Sequence, residues 1–256
     1  MQLGNFMKLE NKVIIITGGV RDIGRATSIE LASQGAKLAI NYFGSEDQAE
    51  SLRQQFNDDG TQAIIVKGDM TKAADVEALV TQATEVFGQK IDGLVNIAGG
   101  LVQRKTLDEM DEDFFNLVMK LNMNSTFLTF KKVLPFMSEG GSVVNFASQA
   151  GRDGGGPGAS AYATAKGAVM TFTRSMAKEL GPRGIRVNSL CAGMISSTFH
   201  DTFTKNEVRA NVANGTPLRR EGNPLEVATT VSFLLSDDAS FVTGINMDIN
   251  GGLLFS

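Results

Sequence analysis

The stretch VIIITGGVRDIGRATSIELASQ, residues 13–34, decides how the chain folds. Its β-branched run VIIIT reads as a strand buried on both faces, and IGRATSIELASQ, from Ile23 on, carries the period of a helix. The glycine turn between them brings a strand end to a helix N-terminus. Free N–H groups and a partial positive charge there suit the pyrophosphate of a dinucleotide. The turn also holds an acid, Asp22, flanked by Arg21 and Arg25. Two readings of it stay open. Either the carboxylate turns back to cap the helix, accepting from the N–H of Gly24 or Arg25, or the loop binds no anion. Asp tolerates the backbone conformation of such a turn better than most residues.

Outward from this stretch, short apolar runs recur at KLAINY (37–42), AIIV (63–66), GLVNIA (93–98), SVVNFA (142–147), RVNSLCA (186–192) and INMDI (245–249). Segments of helical period such as DVEALVTQATEVF and AVMTFTRSMAKEL lie between them. This alternation predicts the α/β class: a single doubly wound, Rossmann-like domain over 1–256, with a seven-stranded parallel sheet flanked by helices. No linker or repeat divides the chain, and GRDGGGPGAS (151–160) reads as a loop inside the domain.

Composition narrows the function. With 256 residues, 42% of them hydrophobic, the chain can build a full core, and 28 glycines against 5 prolines point to tight turns rather than disorder. A net charge of −4 gives no global positive field to recruit nucleic acid or an anionic membrane, so neither is expected as a partner. Cys191 and His200 are the only residues of their types, which excludes a disulfide framework and a Cys/His zinc site; no metal is expected. The opening MQLGNFMKLE lacks the apolar core of a signal peptide, and no segment approaches the roughly 20 apolar residues of a membrane span. A cytoplasmic protein is the expectation.

The chemistry is carried by YATAK, Tyr162 to Lys166, on a helix after the glycine-rich loop. The i, i+4 spacing puts phenol and ammonium on one helical face. A nearby cation favours the phenolate and draws its pKa from about 10 toward neutrality. Ser148, at the end of the fifth apolar run, can hydrogen-bond a substrate carbonyl.

These features resemble the short-chain dehydrogenase/reductase family over nearly the whole chain. TGGVRDIG matches the family's TGxxxGxG loop, Asp69 stands in GDMT after the third strand, and NIAG (96–99) matches NNAG. Asn122 in LNMNSTF, Ser148 in FASQAG, the Tyr162/Lys166 pair and AGMISST (192–198) for PGxxxT complete the series. The resemblance implies that Tyr162 is the acid/base and that Ser148 orients and polarises the carbonyl. Lys166 lowers the Tyr162 pKa and holds the nicotinamide ribose, and Asn122 supports a proton-relay water. It also implies a cofactor site of Gly18, Arg21, Asp22, Ile23, Gly24, Tyr42, Asp69, Met70, Asn96, Ala98, Gly99, Tyr162, Lys166, Gly193, Ile195 and Ser197. A homotetramer built on helices around 111–137 and 160–180 is implied as well. Three positions depart from the pattern: Asp22 replaces the second loop glycine, Ile97 the second Asn of NNAG, and Ala192 the Pro before Gly193.

NAD-preferring enzymes place an acid at the end of the second strand. Here Tyr42 and Phe43 stand in its place, and Arg21 sits where NADP-using members carry a basic residue, so NADP(H) is favoured and NAD(H) possible. The loops 99–107, 147–162 and 196–203 bring Arg104, Lys105, Arg152 and His200 toward the substrate, which suggests an anion, with Arg suited to a bidentate carboxylate contact. Arg104, Ser148, Arg152, Tyr162 and His200 are thus the expected substrate residues. These loops resemble reductases acting on 4-deoxy-5-hexoseulose uronate, the 2-keto uronate released from alginate. A 3-oxoacyl carrier-protein reductase, a sugar dehydrogenase and a cofactor-sensing protein without chemistry stay open as alternatives.

Overall fold

Val13–Thr17 (β1) lies in the middle of one seven-stranded parallel sheet, every one of its side chains buried. This β-branched run is covered on both faces, as parallel sheets are. The computed structural model describes residues 7–255; residues 1–6, most of MQLGNFMKLE, and Ser256 lie outside it. The other strands are Lys37–Tyr42 (β2), Ala63–Lys67 (β3), Ile91–Asn96 (β4), Met137–Phe146 (β5), Arg186–Ala192 (β6) and Asn246–Ile249 (β7). Their order is β3-β2-β1-β4-β5-β6-β7, all parallel. The chain reverses direction across the sheet between β1 and β4, and the loops at the carboxyl ends of those strands part to leave a crevice.

Among the described residues ten α-helices accompany the strands: Asp22–Ser33 (α1), Glu46–Asp58 (α2), Ala73–Phe87 (α3), Glu112–Met119 (α4), Ser125–Val133 (α5), Ala150–Asp153 (α6), Ser160–Leu180 (α7), Thr198–Phe203 (α8), Asn206–Gly215 (α9) and Pro224–Leu235 (α10). A π-helical turn, Lys120–Asn124, joins α4 to α5. The core forms two main layers. On one face α1, α2 and α10 bury Leu31, Leu52, Val227, Val231 and Leu234 against Ile14, Ile16 and Ile40. On the other, α3, α5 and α7 cover Ile15, Leu94 and Val143. The alternation of Ile14 and Ile16 against Ile15 is the period-two strand pattern.

α10 is fixed at both ends. Asn223 and Glu226 form a capping box, with Pro224 in the first turn where its missing N–H costs nothing. At the other end Arg186 donates to the carbonyls of Leu234 and Ser236, and Ser142 Oγ donates to Leu234 as well. A cation is favourable at that negative helix end. No helix among the described residues is long and apolar enough to cross a membrane.

Candidate active site

Thr17 ends β1 and uses its hydroxyl to accept from the N–H groups of Ile97 (3.1 Å) and Ala98 (3.2 Å), drawing the β1 and β4 loops together. Gly24 then lets α1 approach the strand end, since a Cβ there would stand 2.0 Å from the Gly18 carbonyl oxygen. Asp22 adopts φ +50, the left-handed region its glycine counterpart would enter freely. Its side chain does not cap α1, contrary to the sequence expectation. The carboxylate instead leaves its own helix: Oδ1 accepts from the Thr198 N–H at 2.9 Å and Oδ2 from the Thr198 hydroxyl at 2.5 Å. Arg21 lies 3.9 Å from it and is largely exposed.

These elements surround a cleft of about 420 Å³. Gly18, Arg21, Asp22, Ile23, Gly24, Tyr42, Asp69, Met70, Ala98, Gly99, Gly193, Ile195 and Ser197 all line it, together with Ser148, Tyr162, Lys166 and His200. At the β2 end, the Tyr42 hydroxyl donates to Glu46 at 2.6 Å and Lys67 pairs with the same carboxylate. Lys67 first, then Tyr42, holds Glu46 below the usual carboxylate range. Asp69 accepts from the Thr71 N–H and hydroxyl, and these bonds outweigh the burial that would otherwise raise its pKa.

At the β5 end, Ser148 Oγ accepts from the Ala150 N–H at 3.1 Å, and Ser148 and Tyr162 line the same cleft. Lys166 is buried and donates to the Phe146 carbonyl at 2.7 Å, its Nζ 5.7 Å from the Tyr162 ring centre. Burial dominates both groups. It pushes the Tyr162 phenol up to about 12, opposed by the Ser148 hydroxyl, and pulls Lys166 down to about 8. The phenol is thus not drawn toward neutrality as the spacing predicts, because desolvation is the largest influence on it.

Four expected site residues fall outside the cleft lining. Asn96 donates to Asn145 at 2.9 Å inside the sheet. Asn122 is fully buried in the π-helical turn, where its Oδ1 accepts from the Gly100 N–H and its Nδ2 donates to the carbonyls of Gly100 and Val118. Its side chain shapes the loop after β4. Arg152 is paired with Asp248 at 2.6 Å and donates to the Asn246 carbonyl, so its guanidinium is spent on β7 instead of a substrate. Arg104 donates to the carbonyls of Phe203 (3.2 Å) and Pro157 (3.0 Å), joining two loops at the rim. No carboxylate among the described residues pairs with it. Lys105 lies 4.6 Å over the Phe114 ring.

Among the lining residues that escaped sequence reading are Asn41 and Phe199. Asn41 accepts from the Gly18 N–H and donates to the Gly68 carbonyl at 2.8 Å, tying the β1 and β3 loops. A polar residue inside the apolar run KLAINY is the signal that could have revealed it. Phe199 sits 6.0 Å from the Tyr162 ring and contacts His200 and Phe203. Burial, then the cations Arg209 and Arg104, holds the His200 pKa below its usual value, and its Nδ1 meets the Thr204 hydroxyl at 3.0 Å.

Known proteins share this sequence pattern and fold. A family model described as enoyl-(acyl carrier protein) reductase matches residues 18–254. The chain is 32% identical over 245 residues, 95% of its length and 99% of the relative's, to a 3-oxoacyl-[acyl-carrier-protein] reductase, FabG, of Staphylococcus epidermidis. A short-chain dehydrogenase/reductase from Serratia marcescens superposes with a TM-score of 0.90 at 30% identity, covering 96% of this chain and 99% of that one. An NADH-dependent reductase, A1-R', responsible for alginate metabolism, superposes with a TM-score of 0.88 at 32% identity, covering 98% and 100%. A parallel sheet wound in this order, a glycine turn at its switch point and the Ser148, Tyr162 and Lys166 cluster therefore have one explanation: the chain belongs to the short-chain dehydrogenase/reductase family, as an NAD(P)-dependent oxidoreductase.

Proposed function

We propose that the chain, acting as one domain, reduces the carbonyl of a small polar, carboxylate-bearing, sugar-derived substrate, a 2-keto uronate such as 4-deoxy-5-hexoseulose uronate, with NADPH as the preferred cofactor. The observation that carries this reading is the meeting of Ser148, Tyr162 and Lys166 in the cleft, with the uncompensated charge of Arg104 at its rim.

The cleft fits a dinucleotide. Gly24 brings the N-terminus of α1 onto the β1 end, and Arg21 at the N-cap makes no side-chain cap, so the first-turn N–H groups of α1 are available to a pyrophosphate. The bound nicotinamide supplies a hydride. The protein's part is proton delivery and orientation. Ser148 and the Tyr162 hydroxyl hydrogen-bond the carbonyl oxygen, and a phenol held at about 12 stays protonated until an alkoxide, a far stronger base, forms beside it. Lys166, cationic below about pH 8, steadies the phenolate left behind and reaches the cofactor ribose. Asn122 acts through the loop it shapes, supporting a water that returns the proton.

Arg21 supports NADP(H), as does the engagement of Glu46 by Tyr42 and Lys67 at the β2 end. The likeness to the alginate-metabolism reductase supports the uronate. A second reading, a 3-oxoacyl carrier-protein reductase, is favoured by the staphylococcal relatives. A homotetramer with a cytoplasmic location completes the proposal.

A panel of 2-keto uronates, neutral sugars and 3-oxoacyl thioesters, followed at 340 nm with each cofactor, decides between them. The uronate reading expects kcat/KM for the acid to exceed that for the neutral analogue by about 2 kcal/mol or more, the scale of one buried charge partner. Arg104→Ala narrows that gap, and Arg21→Ala weakens NADPH selectively. Equal rates on acid and neutral analogue, or faster turnover of the thioester, refute it. A higher kcat/KM with NADH refutes the cofactor preference alone.

A further inference from the structure

The bond between Asp22 and Thr198 joins two parts of the site that are far apart in sequence and serve different ends of the reaction. Asp22 belongs to the phosphate turn. Thr198 begins α8, whose next two residues, Phe199 and His200, line the cleft. Phe199 lies over Tyr162, and its ring contacts Phe203. The far side of this segment is already fastened. Arg104 holds the Phe203 carbonyl, and Arg209 pairs with Asp201 while gripping Glu221 with two nitrogens at 2.7 Å. The near side is held to the phosphate turn by one carboxylate, which takes both the amide proton and the hydroxyl proton of Thr198.

That carboxylate departs from the family pattern. TGGVRDIG carries Asp22 where the family pattern TGxxxGxG has glycine, and the backbone keeps the glycine-type φ of +50. A glycine would adopt this conformation without strain but could not reach Thr198. The strained acid is retained together with a charge-assisted pair of hydrogen bonds, stronger than neutral ones. The geometry has a direct consequence for the site. With Thr198 held, Phe199 is kept against Tyr162 and His200 against the cleft wall.

We propose that Asp22 is a positioning residue that latches α8 as a lid over Ser148 and Tyr162 before cofactor or substrate arrives. The proposal rests on the reading that the cleft takes NADP(H) and a carbonyl substrate. In most arrangements of this kind a lid closes on the bound ligands; here an internal anion closes it beforehand. Ligands then enter and leave by breaking the Asp22–Thr198 bonds, and substrate meets a preformed aromatic wall.

The test is hydrogen–deuterium exchange of the α8 amides in the cofactor-free protein, for wild type, Asp22→Gly, Thr198→Val and Thr198→Ser. Glycine fits φ +50, so Asp22→Gly keeps the fold, which an unchanged or higher melting temperature verifies. Exchange over residues 198–203 rises on the order of 10- to 100-fold in Asp22→Gly, the scale of losing hydrogen bonds to a charged group. Thr198→Val rises less, because its amide still donates, and Thr198→Ser stays near wild type. In turnover, Asp22→Gly raises KM for the carbonyl several-fold, by more than it lowers kcat, a split that general destabilisation does not produce. Unchanged exchange in Asp22→Gly, or equal loss in Thr198→Ser and Thr198→Val, overturns the latch. Exchange that rises as expected in a protein that binds neither nicotinamide cofactor supports the latch and overturns the cofactor reading instead.

Discussion

Replacing Arg152 with alanine separates a structural ion pair from a substrate contact. Its Nε stands 2.6 Å from Asp248 Oδ1, with side-chain exposures of 18% and 14%, and the guanidinium also reaches the Asn246 carbonyl. Removing one partner of a fully buried pair costs about 3–5 kcal/mol, because the other charge is left unpaired. Partial exposure here lets water reach Asp248, which brings the expected loss to about 2–3 kcal/mol. In a chain of this size that lowers the melting temperature by about 5–10 °C. Asp248→Ala should cost a similar amount. The double variant should cost less than the sum by about 1–2 kcal/mol, the coupling of residues in direct contact. Denaturant unfolding followed by circular dichroism supplies all four corners of the cycle. KM for an acidic substrate should stay near wild type, while kcat drops modestly as α6 loosens behind Ser148. Additive effects below about 0.5 kcal/mol, or a raised KM with unchanged stability, would refute this account and return Arg152 to the substrate.

Tyr162→Phe should bind cofactor nearly as well as wild type, by fluorescence titration, while turnover falls on the order of 100-fold or more, the scale of a lost general acid. Retained turnover would remove Tyr162 from proton transfer. Lys166 predicts a stability profile. Its folded pKa of about 8 lies below the 10.5 of the free group, so between these values the unfolded chain binds more protons and stability rises with pH. The gain reaches up to about 3 kcal/mol, and Lys166→Met, which cannot titrate, should flatten the rise from pH 8 to 10. Tyr162 acts with the opposite sign above pH 10, where the unfolded phenol ionises first and stability is lost toward pH 12. Parallel profiles for Lys166→Met and wild type would show that the ammonium is not desolvated.

β1, β2 and β6 have the bounds of their apolar runs, and β3 runs one residue further, because each reads as a short, mostly apolar segment set between polar or glycine residues. β5 starts five residues before SVVNFA, at Met137: the polar and glycine residues Ser138 to Gly141 read as a turn, and its pairing with β4 shifts register between Ile91 and Gly93. At the site, Ser148, Tyr162 and Lys166 were legible because they recur at fixed spacing. The partners of Asp22 and Arg152 were not. A charged side chain on a loop is compatible with a cap, a ligand or a distant acid, and only the folded chain brings Thr198 and Asp248 within reach. The same holds for the phenol, since a spacing reports the nearby cation and says nothing of the desolvation that opposes it.

The docking of α10 on α1 sets a timetable for the protein's synthesis. Val227, Val231, Leu234 and Leu235 complete the apolar layer behind the phosphate turn, yet they are translated only after β1 to β6. At ordinary elongation rates, β1 and α1 leave the ribosome on the order of tens of seconds before that cover exists. The nascent turn therefore cannot use its cofactor as a folding nucleus, and its apolar back is a natural chaperone client in the interval. A transcript cut short before residue 224 would yield a chain that carries Gly18, Gly24, Ser148, Tyr162 and Lys166 and still has no nucleotide site, even though none of the missing core residues lines the cleft.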